Sequence, residues 1–200
     1  MSARTLPRRF YDRDALAVAP ELLHKVLVHD DPERGRLAAR LVEVEAYCGR
    51  DDPGSHAYRG ETPRNASMFG RPGHLYVYFT YGMHWCSNLV CGPGRQPHAV
   101  LLRGAVPLDG LATMYERRVK ARRDRDLCSG PGKLAQAFGF DKRHDGVDVT
   151  RGSIRVIDDG TAPPSRPLVS RRIGIAPGRG DESLWRFSVP GSPFVSVPPR

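Results

Sequence analysis

Two glutamates, Glu43 and Glu45, stand two residues apart in the run LVEVEAY, Leu41–Tyr47. On a strand that spacing puts both carboxylates on one face, roughly 6.6 Å apart. The separation suits a two-carboxylate sugar hydrolase. It suits structural salt bridges to arginines such as Arg40 equally well. Tyr47 shares the glutamate face. Downstream, Tyr76, Tyr78 and Tyr81 add flat rings, and His56 adds an imidazole able to stack or hydrogen-bond. A rigid carboxylate among aromatic rings can grip a planar ring and hydrolyse a bond to it. The same residue types also serve as ordinary packing, and the residues alone leave that choice open. Asp51, Asp52, His56, His74 and His84 offer ligand atoms, but their spacing matches no metal-binding pattern, so no metal is expected.

The elements that must hold these groups follow from periodicity. Leu41–Tyr47 alternates, with Val42, Val44 and Ala46 on one face and Glu43, Glu45 and Tyr47 on the other, which predicts a half-buried strand. Leu75–Tyr81 alternates too, with Tyr76, Tyr78 and Thr80 sharing a face. Tyr81-Gly82-Met83 reads as a hairpin tip, and His84–Leu89 as the return strand. Between the strands, residues 48–74 form a long stretch rich in Gly and Pro, which reads as an ordered binding loop. Asp14 caps a helix reaching toward Leu27 and interrupted at Pro20, with strand from Val26. Ala99–Arg103 is a short apolar strand. Asp109 is expected to cap a helix to about Lys120. Ser129–Lys133 is a glycine-rich loop opening a helix, where free N–H groups and Lys133 can meet an anion. Its spacing is not that of a nucleoside-triphosphate loop. Residues 152–157, 172–175, 184–189 and 194–197 read as closing strands.

Two hundred residues with 40% hydrophobic content fit one domain, residues 1–200, with 21 glycines and 18 prolines implying many turns. The net charge of +9 points to a polyanionic partner. Six basic residues between Arg117 and Arg125 are either a solvated helix face or phosphate contacts. The N-terminus lacks a secretory pattern and no run approaches the roughly 18 apolar residues of a membrane span, so a cytosolic setting is expected. Cys48, Cys86, Cys91 and Cys128 show no C-x-x-C pairing and are expected to be reduced thiols.

Several blocks, in order along nearly the whole chain, resemble the alkyladenine family of 3-methyladenine DNA glycosylases. They are VEVEAY (Val42–Tyr47), TPRN (Thr62–Asn65), GHLYVYFTYGMHWCSN (Gly73–Asn88), VLLR (Val100–Arg103), DLCSGPGKL (Asp126–Leu134) and GSPFVSV (Gly191–Val197). The resemblance implies a mixed α+β domain around a curved, mostly antiparallel sheet, akin to formyltransferase C-terminal domains, with a hairpin that enters the DNA minor groove. It implies that Glu45 activates a water to attack the sugar, with Arg103 holding that glutamate. The flipped base would stack between Tyr47, His56 and Tyr78, and Asn88 would crowd the position of a guanine amine. Tyr81 would fill the gap in the duplex, with Met83, Arg64 and Lys133 also touching DNA. No cofactor is implied, only water. The partner would be double-stranded DNA carrying a damaged base, met by a monomer in the cytoplasm near the nucleoid. His84, Trp85 and the composition of residues 48–61, Tyr58 included, depart from the family pattern. The rival readings are a non-catalytic DNA-binding module and a two-carboxylate carbohydrate hydrolase.

Overall fold

A computed structural model describes residues 3–198. Its elements in chain order are β1 (Arg4–Thr5), α1 (Arg8–Tyr11), α2 (Ala15–Leu22), β2 (Val26–Asp31), β3 (Gly35–Tyr47), β4 (Leu75–Thr80), β5 (His84–Cys91), β6 (His98–Asp109), α3 (Leu111–Arg117), α4 (Asp124–Leu127), α5 (Pro131–Phe138), β7 (Ile154–Asp158), β8 (Leu168–Ser170) and β9 (Arg186–Ser188). Every strand pairs antiparallel in one sheet, ordered β1-β7-β2-β3-β6-β5-β4, with β9 and β8 branching from β3. The fold is a mixed α+β domain around a curled antiparallel sheet, as the sequence predicts. No helix among the described residues is long and apolar enough to cross a membrane.

Strand β3 is the axis. Its first half, Gly35–Arg40, pairs with β2, and its second half, Glu43–Glu45, pairs with β9, while β6 runs along the other edge. The ladder to β6 slips between Ala38 and Ala39 and on both sides of Glu43. Such bulges bend a strand and re-aim its side chains. Gly104 and Pro107 of β6 stand opposite these slips. They disfavour a strand interior in sequence, so the expected strand stops at Arg103, whereas β6 continues to Asp109. A Cβ on Gly104 would stand 2.9 Å from the Phe194 carbonyl oxygen and 3.0 Å from the Glu43 Cβ. Only glycine lets the C-terminal segment lie this close over Glu43.

The half-buried reading of Leu41–Tyr47 is corrected by that segment. Glu43 and Glu45 are both fully buried, as are Leu41, Val44 and Ala46 on the other side. Two predicted closing strands are not strands. In 172–175 the Ile173 N–H donates to Glu45, and in 194–197 the Ser196 N–H donates to Glu43. Backbone donors needed for a ladder are spent on carboxylates instead. The third, 184–189, shortens to β9.

The helices also depart in detail. Asp14 does cap α2, its Oδ1 accepting from the Leu16 N–H at 2.7 Å. The helix passes Pro20 and stops at Leu22, ahead of His24 in a left-handed conformation (φ 68°). Asp109 does not cap α3. Gly110 does so by backbone alone (φ 74°), because a Cβ there would meet Leu37 Cδ2 at 2.4 Å and the Arg36 carbonyl at 2.5 Å. Helix α3 ends at Arg117, so the basic run to Arg125 is not one helix face. Arg117 pairs with Asp31 at 2.6 Å and Arg118 donates to Gln136 at 2.7 Å, leaving Lys120, Arg122 and Arg125 exposed.

Candidate active site

The sheet's curl encloses a cavity of about 320 Å³ between β3, β4, β5, β6 and the segment after Ser170. Tyr47, His56, Tyr78, Asn88 and Arg103 all line it, with Tyr81 at its mouth. The expected base-binding residues are therefore brought together. The volume is at the small end for a ligand site, and four tyrosines and His56 contribute to its walls. Tyr76 and Tyr78 stack at 5.3 Å, and His56 meets Tyr78 edge-on at 4.5 Å. His56 Nδ1 is 2.9 Å from the Tyr76 hydroxyl. Desolvation, then the Arg64 charge, holds the His56 pKa below its ordinary value. A neutral imidazole does not repel a cationic ring, whereas an imidazolium would.

Glu45 lies behind one wall. Its Oε1 accepts from Ile173 N–H at 2.7 Å, and its Oε2 from the Tyr47 hydroxyl at 3.0 Å and Arg103 Nη1 at 3.3 Å. Those three donors leave about one of four carboxylate lone-pair positions open. Burial pushes the Glu45 carboxyl above its usual range, against the pull of Arg103, the Ile173 N–H and the Tyr47 hydroxyl. A buried base with a raised pKa and a spare lone pair is suited to taking a proton from water. Glu43 is the opposite case. Its oxygens accept from Arg103 Nε (3.3 Å), Arg186 Nη1 (3.1 Å), the Ser196 N–H (2.5 Å) and the Ser196 hydroxyl (2.8 Å). Glu43 takes four donors to the three on Glu45 and bonds Arg186 and the C-terminal segment, which makes it the more heavily tied of the two carboxylates.

Tyr81 is 79% exposed and takes a left-handed conformation (φ 50°), followed by Gly82 (φ 65°). Two successive left-handed residues make the tight turn that suits a hairpin. Gly82 accepts this freely, but a bulky tyrosine does so against a steric penalty. An exposed aromatic held at such a cost points outward for use. Met83 beside it is 67% exposed. Arg64 Nη2 donates to the Phe79 carbonyl at 2.9 Å, so it braces the hairpin as well as carrying charge. Helix α5 begins against the hairpin, with Gly132 packed on His84, and Lys133 is exposed there with only a long 3.5 Å contact to Ser129. Asn88 is buried, its Nδ2 donating to the Tyr76 carbonyl at 3.2 Å, which fixes the amide in the cavity floor.

Sequence reasoning missed Arg172. Its guanidinium is fully buried, lies 4.6 Å behind the Tyr47 ring and 4.9 Å from Trp185, and forms two bonds to Asp52 at 2.5 and 2.7 Å. Nothing in the local sequence separates Arg172 from Arg171; its role depends on a loop 120 residues away in the chain.

The sequence profile of the methylpurine-DNA glycosylase family matches residues 9–193. A protein of Burkholderia lata, provisionally named a 3-methyladenine DNA glycosylase, is 54% identical over 195 residues, covering 96% of this chain and 91% of that protein. Proteins named in the same way are 46% identical in Streptomyces avermitilis, over 96% of this chain and 90% of theirs, and 45% identical in Methanocella arvoryzae, over 96% and 95%.

Proposed function

Because the chain belongs to the methylpurine-DNA glycosylase family, we propose that it releases 3-methyladenine-type alkylated purines from duplex DNA, starting base excision repair. The observation that carries this reading is the aromatic cavity backed by Glu45 and Arg103, with Tyr81 projecting at its mouth. A base inside a duplex is out of reach, so it must be turned out into a pocket and its place filled. Tyr47, His56 and Tyr78 then clasp the base. N3- or N7-alkylation leaves a purine cationic, hence a good leaving group that also favours aromatic faces. One carboxylate suffices: Glu45 takes the proton of a water that attacks the sugar C1′, while Arg103 keeps the carboxylate charged. The attacking water takes the lone pair of the Glu45 carboxylate that Ile173, Tyr47 and Arg103 leave open. No cofactor enters the scheme. We infer action as a monomer in the cytoplasm, where the chromosome would be met.

The direct test is single-turnover release of free base from alkylated duplex oligonucleotides. Tight binding without base release would leave only a DNA-binding module.

Three substitutions probe the parts. Tyr81→Ala should reduce excision from duplex DNA more than from single strands, because unstacking costs a few kcal/mol only in the duplex. Equal losses on both substrates would return Tyr81 to ordinary packing. Lys133→Ala should make the slope of log affinity against log salt shallower by about 0.9, one phosphate contact. An unchanged slope would remove Lys133 from the footprint. Asn88→Gly should raise removal of guanine-type over adenine-type bases, since the fixed amide occupies the space of the exocyclic amine. A constant ratio across a panel of modified oligonucleotides would place discrimination elsewhere.

A further inference from the structure

A second chemical cluster lies at the far end of β3, outside the cavity. Asp14, Cys48 and His98 bring one ligand atom each within 4.8 Å of one another. None belongs to the acidic and histidine residues whose spacing was weighed above. They come from three separate places: the cap of α2, the residue after β3, and the first residue of β6. The topology explains the meeting. Tyr47 pairs with Ala99, so the next step along the ladder sets Cys48 beside His98, and His98 faces Cys91 on its other side. Asp14 closes over this row, its Oδ2 3.5 Å from His98 Nδ1. Cys48 and His98 are buried, while the Asp14 side chain is 49% exposed and leaves an entry path.

We propose that Asp14, Cys48 and His98 form an open, three-ligand site for a divalent cation of the zinc class. A thiolate, an imidazole and a carboxylate together select a borderline-soft ion, since magnesium and calcium prefer all-oxygen sets. Three protein donors and one water, entering beside Asp14, complete four-coordination. On binding, the Cys48 thiol gives its proton to solvent and the sulfur ligates as thiolate. Cys48 and Cys91 are both free thiols. The ion would tie the helix cap to two strand ends. Cys48 also donates its N–H to Asp52 Oδ2 at 3.2 Å, so the clip reaches the pair that backs Tyr47. This site stands apart from base release, and its test does not depend on that activity.

The experiment titrates the metal-free full-length protein with cobalt(II) and with zinc. One cobalt per chain should bind, with the near-ultraviolet thiolate-to-cobalt band and the visible bands of a four-coordinate ion. Zinc at ~100 times its Kd should raise Tm by roughly 5–10 °C. Cys48→Ser and His98→Ala should lose the thiolate band and the Tm rise. Asn is itself a good helix cap, so Asp14→Asn keeps α2 intact by circular dichroism while weakening cobalt binding by roughly tenfold or more. Cys91→Ser should keep the band, as a control. Absence of cobalt binding in the parent overturns the site. So does an unchanged spectrum in folded Cys48→Ser, or undiminished affinity in Asp14→Asn.

Discussion

Glu45→Gln should cut single-turnover base release by about 10²–10⁴ while leaving binding to lesion DNA intact or tighter. Glutamine nearly matches the shape of glutamate but cannot take a proton from water. Its one amide oxygen can still accept from the Ile173 N–H, now at 2.7 Å, while its NH2 takes the place of Oε2 and can donate to the Tyr47 hydroxyl oxygen, now at 3.0 Å. The fold should therefore survive, and circular dichroism should confirm it. The matching Glu43→Gln change tests the assignment from the other side. Neither glutamate lines the cavity, but Glu45 bonds the lining residues Tyr47 and Ile173, whereas Glu43 is held by Arg103, Arg186 and Ser196. Its loss should appear as lowered Tm, with base release in the folded fraction far less affected. The parent's pH profile adds a check. Only the ionised Glu45 acts as base, and burial raises its pKa, so activity should fall on acidification at a pH above the usual carboxylate range. A folded Glu45→Gln protein releasing base within about tenfold of the parent would lie below the range for a general base and remove Glu45 from that role.

How far the sequence discloses this site depends on the range of the contacts. The hairpin is local: alternation and the Tyr81-Gly82 turn are written in adjacent residues, and β4 and β5 match their expected bounds closely. The convergence of Tyr47, His56, Tyr78 and Asn88 follows from whole blocks of motif, not from periodicity, since each residue alone is indistinguishable from packing. What failed was the C-terminal third. Residues 172–175 and 194–197 have strand-like composition, but their N–H groups are taken by buried glutamates over a hundred residues earlier in the chain. Propensity carries no term for a tertiary acceptor of that kind. The same blindness hid the division of labour between two identical side chains. Glu43 and Glu45 are equivalent in sequence, and only the donors arranged around each set them apart: Arg186 and Ser196 on Glu43, the cavity residues Tyr47 and Ile173 on Glu45.

Asp52→Ala should lower stability by about 3–5 kcal/mol, the cost of leaving one member of a buried ion pair uncompensated. Both side chains of the Asp52–Arg172 pair are 0% exposed, and Arg172 bonds Asp52 at 2.5 and 2.7 Å. For a chain of this size that loss lowers Tm by roughly 6–20 °C. The contrast is Glu116→Ala, which removes a pair to Arg34 whose side chains are 55% and 63% exposed. Water screens that pair to about 1 kcal/mol or less, so Tm should move by no more than about 4 °C. The buried pair also has a functional consequence. Arg172 lies 4.6 Å behind the Tyr47 ring, and its neighbour Ile173 hands its N–H to Glu45. Stability and ring positioning can be separated by Asp52→Ala combined with Arg172→Met. Removing the stranded charge while keeping the bulk should recover much of the lost Tm. It should not recover excision, because methionine fills the space but makes none of the guanidinium's bonds to the Ala46 and Gly180 carbonyls that hold this segment against Tyr47. Tm recovery accompanied by full excision would reduce the pair to a stabilising element alone. Equal Tm losses for Asp52→Ala and Glu116→Ala would show that the Asp52–Arg172 pair does not carry the buried charge assigned to it.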